Sequence, residues 1–308
     1  MLMTLLFACT ARYAALPPMA PSELWSPLPV QTTEVAGTTV SWVDTGTVSE
    51  QTPLVLMHGL SASVGFWEHQ LPDLAPDRRI LALDLPGYGR SGRPDAPYTP
   101  PWFAGVIVDW LDALGLDRVV LVGHSMGGQI ALTMALDHPD RVQALVLSAP
   151  AGIETFSEGE ARFIKDHWHE ARALEATEHD LRAVFTTQVF NTHDPGVERL
   201  LEERVRLGAH PAFRGTSVAV SRSIAGMLDH PVRHRLGELA LPVFVAFGSR
   251  DRMIPNPIFS GGRPATVLAD AVALLDAEPL LVPGAGHTVH HDAPETFNLA
   301  VQAYLGGL

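Results

Sequence analysis

The sequence predicts an α/β fold: a mainly parallel central sheet flanked by helices, with a helical cap inserted into it. Three observations carry this. Short, continuous apolar runs recur along the chain, of the kind buried on both faces of a parallel sheet. Amphipathic helical patterns lie between most of them. From 151 to 235 the alternation stops, and only helical patterns remain. The implied organisation is an extended Pro-rich arm over 1–29, a core formed by 30–150 and 236–308, and a cap over 151–235.

Taken in order, Pro17, Pro18, Pro21, Pro27 and Pro29 disfavour regular structure in the arm. Alternating stretches at Gln31–Val35 and Thr39–Asp44 predict an antiparallel hairpin turning at Ala36-Gly37. The buried-strand runs are Pro53–Met57, Ile80–Leu83, Val119–Val122, Ala144–Leu147, Val243–Phe247 and Leu280–Val282. Helical patterns cover Phe66–Leu74, Trp102–Leu114, Gln129–Leu136, Val267–Leu275 and Pro294–Leu305 in the core. In the cap they include Glu158–Ala173, His179–Phe190 and Val197–Leu207.

A chain of 308 residues that is 46% hydrophobic buries a full core. Its 34 acidic against 21 basic residues give a net charge of -13, which opposes nucleic acid as a partner and leaves a small-molecule substrate as the expected one. The single cysteine, Cys9, excludes an internal disulfide and a cysteine-based zinc site. The apolar start, residues 1–9, is short for a signal peptide and lacks Lys or Arg at its beginning, so a cytoplasmic protein is expected. Leu6-Phe7-Ala8-Cys9 resembles a bacterial lipidation box, so export or a lipid anchor, and with it membrane association, could come only through this segment. Oligomeric state is left open, and no cofactor or metal is expected.

The chemistry concentrates at Gly123-His124-Ser125-Met126-Gly127, between a strand run and a helical pattern. A serine hydroxyl is a weak nucleophile unless the backbone presents it in the open and a base takes its proton, and this Gly-x-Ser-x-Gly elbow presents it. His287, in Pro283-Gly284-Ala285-Gly286-His287, follows the last strand run and is the candidate base. Asp251, in Gly248-Ser249-Arg250-Asp251, is the candidate acid that orients it. His58-Gly59-Leu60-Ser61 ends another strand, so the backbone N–H groups of Leu60 and Met126 are the candidate oxyanion donors.

Five motifs in order, His58-Gly59, Asp84-Leu85-Pro86-Gly87-Tyr88-Gly89-Arg90-Ser91, the elbow, Gly248-x-x-Asp251 and Gly286-His287, resemble the cap-bearing branch of the α/β-hydrolase superfamily over Val30 to Leu308. The resemblance implies a cofactor-free acyl-enzyme mechanism at the C-terminal edge of the sheet, beneath the cap. Haloalkane dehalogenases and epoxide hydrolases of this fold carry aspartate where Ser125 stands. Meta-cleavage-product hydrolases share Ser-Met-Gly-Gly, but usually with a glycine-rich oxyanion turn, unlike Leu60-Ser61-Ala62-Ser63. Prolyl aminopeptidases usually place tryptophan after the serine, where Met126 stands. The expected activity is therefore hydrolysis of a carboxylic ester or related acyl bond. The alternatives are carbon–carbon hydrolysis, perhydrolysis or a lyase step with the same groups, and a non-catalytic binding protein.

Several neighbours invite rival roles. His290 and His291 compete with His287 as base, although Gly286 favours the latter. His58 and His124 are expected to support the oxyanion turn and the elbow, and Asp84 with Arg90 to shape a loop. His167 and His169 point about 200° apart on a helix, so with His193 and Asp194 they read as solvated faces rather than metal ligands. Trp67, Phe163, Trp168, Phe190 and Met227 are candidate pocket walls, which would suit a small apolar substrate.

Overall fold

The computed structural model describes residues 12–71 and 73–308. The segment that could carry a lipid anchor, residues 1–9, lies outside them. Eight strands form one sheet: β1 (Val30–Val35), β2 (Thr38–Asp44), β3 (Leu54–Met57), β4 (Ile80–Asp84), β5 (Val119–His124), β6 (Val142–Ser148), β7 (Val243–Gly248) and β8 (Glu278–Val282), in the order β1-β2-β4-β3-β5-β6-β7-β8. β2 pairs antiparallel with both β1 and β4, and every later pairing is parallel.

The apolar runs take these positions because both faces of the sheet are covered. On β3, Val55 and Met57 join a core cluster with Phe103, Trp110 and Ile130, while Leu54 and Leu56 join another with Leu74, Phe297 and Val301. The first face is covered by α1 (Pro100–Ala113), α2 (Met126–Asp137) and α8 (Pro264–Leu275), and the second by α10 (Pro294–Gly306). Alternate residues of a strand therefore meet different helix layers, which is why the runs are apolar without alternation. Thr99 caps α1 by accepting from the Trp102 N–H, and Pro100 supplies the first helical position.

The expected helix over Phe66–Leu74 does not form; the chain makes one 3-10 helix, Val64–Trp67, and then turns. Between β6 and β7 the longer elements are all helices: α3 (Glu158–His167), α4 (Glu170–Glu175), α5 (Glu178–Val184), α6 (Pro195–Gly208) and α7 (Phe213–Asp229). The single helix expected over Glu158–Ala173 is two, broken where Trp168 leaves helical geometry and His169 turns extended. A short π-helix, Phe185–Val189, ends the α5 segment.

What holds the arm is not announced by the sequence. Its described part is bound to the helical insertion, and Tyr13, Met19 and Leu24 are buried. The backbone N–H groups of Tyr13 and Ala14 both donate to Glu178, the Tyr13 hydroxyl donates to Glu198, and the Trp25 N–H donates to Glu203. The Arg199 guanidinium lies 3.9 Å from the Trp25 ring centroid. Apart from a 3-10 turn at Pro21–Glu23 the described arm has no regular structure before β1, and carboxylates on α5 and α6 satisfy backbone donors that the prolines leave. Among the described residues, no helix is long and apolar enough to cross a membrane.

Candidate active site

β5 ends at His124 and α2 begins at Met126, so Ser125 alone makes the turn, with φ 51° and ψ -115°. A non-glycine residue in this region carries strain that its surroundings must hold in place. They do so through the Ser125 N–H, which donates to Ser148 O at 3.0 Å, and the Ser125 carbonyl, which accepts from Gly128, Gln129 and Ala151. The flanking glycines permit backbone contact: a Cβ on Gly123 would lie 2.5 Å from Gly127 O, and one on Gly127 would lie 2.3 Å from Met57 O. Ser125 remains partly exposed while its neighbours are buried.

The turn after β3 lies against this elbow. A Cβ on Gly59 would come within 3.2 Å of the Ser125 Cβ and 2.9 Å of His124 Nδ1. His58 is fully buried; its Nδ1 donates to Gly59 O at 2.7 Å, and its Nε2 accepts the Leu85 N–H at 3.0 Å. These partners require the neutral ring, and burial indeed holds the His58 pKa below the ordinary histidine value. Asp84 supports the same turn from β4, accepting from Val64 N–H at 2.7 Å and Arg90 N–H at 2.9 Å. The loop-shaping role expected for Asp84 and Arg90 is thus met by hydrogen bonds. Met126 N–H, the first donor of α2, has no intrahelical acceptor, and Leu60 N–H has no acceptor among the described residues.

On the far side, the loop after β8 brings His287 onto Asp251. His287 Nδ1 and Asp251 Oδ2 are 2.9 Å apart, and both side chains are buried. The other carboxylate oxygen accepts the N–H groups of Met253 and Ile254 at 2.8 and 3.0 Å, which fixes the group in one orientation. Asp251 therefore pairs with His287 and not with the two competing histidines. His290 is stacked on Trp67 with ring centroids 4.2 Å apart, its Nδ1 3.1 Å from Ser148 Oγ. His291 turns toward Glu68 and Asp194. His124 supports the site from beneath, its Nε2 3.3 Å from the His287 carbonyl and its ring centroid 4.9 Å from that of His287.

Asp292 is a positioning residue that sequence reasoning misses. Its carboxylate accepts from Gly286 N–H at 2.7 Å, from the N–H groups of Asn191 and Thr192, and from the Thr192 hydroxyl. On the other side of the histidine, Thr288 makes a second bridge, its N–H and hydroxyl both donating to Val189 O. Together these bonds tie the segment ahead of α6 to the histidine loop. An acid five residues after the histidine, followed by Ala-Pro, is the only trace of this in the sequence.

The candidate pocket walls are scattered. Trp67 is fully buried in the core cluster that holds Leu54 and Leu56. Phe163 and Trp168 are 54% and 42% exposed, on the outside of the insertion. Phe190 packs with Phe66 and Phe185 in a separate buried cluster. Met227 is half-buried against the core, and its carbonyl accepts from Gln129. For the buried ones, Trp67 and Phe190, the reason is that an apolar side chain in the sequence marks burial but not what buries it. A cavity of about 830 Å³ lies elsewhere, between the arm and the insertion, beside Arg12, Glu178, Arg182 and Arg204.

The buried histidines give this site a pH-dependent stability. Burial holds His58 below its ordinary value and His124 well below it, so both stay neutral in the folded chain while the unfolded chain protonates them near pH 6.5. The unfolded state then binds more protons, and stability falls as pH drops below that value. The slope reaches about 1.4 kcal/mol per pH unit for each histidine. Glu154 and Glu203, raised by burial, act in the opposite sense nearer the carboxylate range. Urea midpoints are expected to fall steadily between pH 7 and pH 5; an unchanged midpoint would contradict the neutral, buried state of these rings.

Comparison with known proteins agrees with this architecture. The family model described as alpha/beta hydrolase fold matches residues 52–294. A dihydrolipoyllysine-residue acetyltransferase component of the acetoin cleaving system from Pseudomonas putida is 31% identical, over 89% of this chain and 69% of its own. The 1-acylglycerol-3-phosphate O-acyltransferase ABHD5 of Sus scrofa is 29% identical, over 83% of this chain and 78% of its own. Among solved structures, a probable hydrolytic enzyme from Pseudomonas aeruginosa superposes with a TM-score of 0.84 at 23% identity, covering 94% of this chain and 98% of that one. A thermophilic esterase from Thermogutta terrifontis gives 0.73 at 23% identity, covering 90% and 97%. Since the matched span takes in every segment from the His58 turn to Asp292, the chain belongs to the alpha/beta hydrolase fold family.

Proposed function

We propose that this protein is a serine hydrolase that cleaves a carboxylic ester or related acyl bond of a small, apolar substrate through an acyl-enzyme. The observation that carries the reading is the buried 2.9 Å pair of Asp251 and His287, with the ring of His287 4.9 Å from that of His124, the residue before a strained and partly exposed Ser125. In this reading Ser125 Oγ attacks the carbonyl carbon and His287 Nε2 takes its proton. Asp251 holds the Nδ1 proton and stabilises the imidazolium. The N–H groups of Leu60 and Met126 receive the oxyanion, each worth about 2.7–4 kcal/mol of transition-state stabilisation. His287 then protonates the leaving alcohol, and water, deprotonated by the same ring, releases the acid. The helical insertion serves as the cap that roofs the substrate.

A second reading differs only in the last step. The names of the curated relatives, both acyltransferases, favour an acceptor other than water resolving the same acyl-enzyme. One experiment addresses both. A fluorophosphonate is expected to label Ser125 stoichiometrically in the wild type and not in His287→Ala. Para-nitrophenyl esters of increasing chain length are expected to turn over faster as they lengthen, and added alcohol reports whether the acyl group passes to it or to water. No labelling and no ester turnover would reject the proposal; ester product exceeding acid at modest alcohol concentration would favour transfer.

A further inference from the structure

We propose that Glu68, His69 and His291 together bind one divalent transition-metal ion, zinc in the first instance, with Asp194 orienting His291. Each of the three residues offers a ligand atom, and these atoms lie within 4.8 Å of one another. Glu68 Oε1 is 3.9 Å from His69 Nε2 and 3.8 Å from His291 Nδ1. Inward movement of each by a few tenths of an ångström gives the roughly 2.0–2.2 Å bonds of zinc to nitrogen and carboxylate oxygen.

Two unsatisfied polar atoms, His291 Nδ1 and Glu68 Oε1, lie 3.8 Å apart in the same place. The His291 side chain is fully buried, and neither ring nitrogen makes a well-aligned hydrogen bond. Glu68 Oε1 is likewise buried without one. Leaving such buried atoms unpaired is costly, so a bound group that satisfies them is favoured. The other oxygen of Glu68 is held by Arg199 at 2.8 Å, which neutralises part of the charge and leaves Oε1 turned toward the imidazoles.

Asp194 completes the arrangement from outside. Its Oδ2 lies 3.3 Å from His291 Nε2, the ring nitrogen that does not face Glu68, while its Oδ1 caps α6 through the Val197 N–H. With the metal in place, a small turn of the ring would let Nε2 donate to this carboxylate and so fix the tautomer that leaves the Nδ1 lone pair for the metal, the usual role of an outer carboxylate at a histidine ligand. Two imidazoles and one carboxylate suit zinc and its neighbours rather than calcium or magnesium, which take oxygen ligands. The fourth position would hold water. The ion would join the turn after Trp67 to α9 (Val289–Asp292), and through Asp194 would brace the insertion against the core.

The test uses the full chain without an affinity tag, stripped with a chelator and titrated with zinc. One zinc per chain at micromolar free metal is expected, retained through gel filtration, with a rise of several degrees in Tm that neither magnesium nor calcium produces. His69→Ala, at a half-exposed position, is expected to keep the fold and lose affinity at least 100-fold; Asp194→Asn should weaken binding about 10- to 100-fold. With 14 histidines in the chain, loose binding elsewhere is a real competitor. Absence of stoichiometric zinc in the wild type, or equal affinity in wild type and His69→Ala, would overturn the proposal. These readouts need no turnover, so they stand apart from the fate of the hydrolase reading.

Discussion

Ser125→Ala is expected to reduce ester turnover by about 10⁴-fold or more, with His287→Ala close behind and Asp251→Asn losing about 10⁴-fold in kcat. The three groups act on one proton, so the losses should not add: once Ser125 is gone, removing His287 should cost little more. Ser125→Gly separates chemistry from stability. It removes the hydroxyl, but glycine accepts φ 51° without steric cost, relieving part of a strain of about 1–3 kcal/mol against the greater freedom of the unfolded chain. Turnover should vanish while Tm stays level or rises. Steady-state kinetics and thermal unfolding on the four single variants and the Ser125/His287 double variant check this. Retained turnover in Ser125→Ala, or losses that add, would remove the acyl-enzyme from consideration.

The parallel strands inside the sheet are legible in the sequence because burial on both faces writes itself as an unbroken apolar run; the edge strand β8 carries such a run although only Val282 of it is buried. The turns that carry the candidate site are legible for a related reason. Few residues tolerate contacts as close as those at Gly123 and Gly127, so the backbone requirement appears as residue identity. Helices of the insertion are another matter. α7 (Phe213–Asp229), its longest, carries Gly215, Ser217, Ser221, Ser223 and Gly226, and its helical form rests on packing rather than propensity. A Cβ on Gly226 would meet the backbone of Thr99 at 2.8 Å, a contact no local pattern announces. The docked arm is hidden for the same reason. Glu178, Glu198 and Glu203 lie 165, 185 and 178 residues from the groups they accept from, and in the sequence they look like solvent-facing helix charges. Glu68, His69 and His291 are likewise joined only by the fold.

Gly248→Ala is expected to be the most damaging substitution that leaves every candidate catalytic side chain intact. Gly248 ends β7, three residues before Asp251, and an added Cβ would lie 2.1 Å from Gly286 O and 2.3 Å from Ala285 O. Both are backbone atoms, so no rotamer change can yield; the loop bearing His287 must move. That loop is held to the same strand end by Ser249 N–H to Val282 O and Arg250 N–H to Ala285 O, each 2.9 Å, and these bonds strain or break as it shifts. Separating His287 from Asp251 by about 1 Å costs on the order of 10²-fold in rate, and the steric insult about 1–3 kcal/mol in stability. The loss should fall on kcat more than on KM, because the displaced groups act in the chemical step rather than in binding. Gly105→Ala provides the comparison: it lies within α1 with nothing near its Cβ position, and alanine there should raise stability by about 0.5–1 kcal/mol. Wild-type kcat in Gly248→Ala would mean that the close approach of β7 to the histidine loop does not set the Asp251–His287 geometry, and the placement of His287 would then have to rest on the Asp292 and Val189 contacts alone.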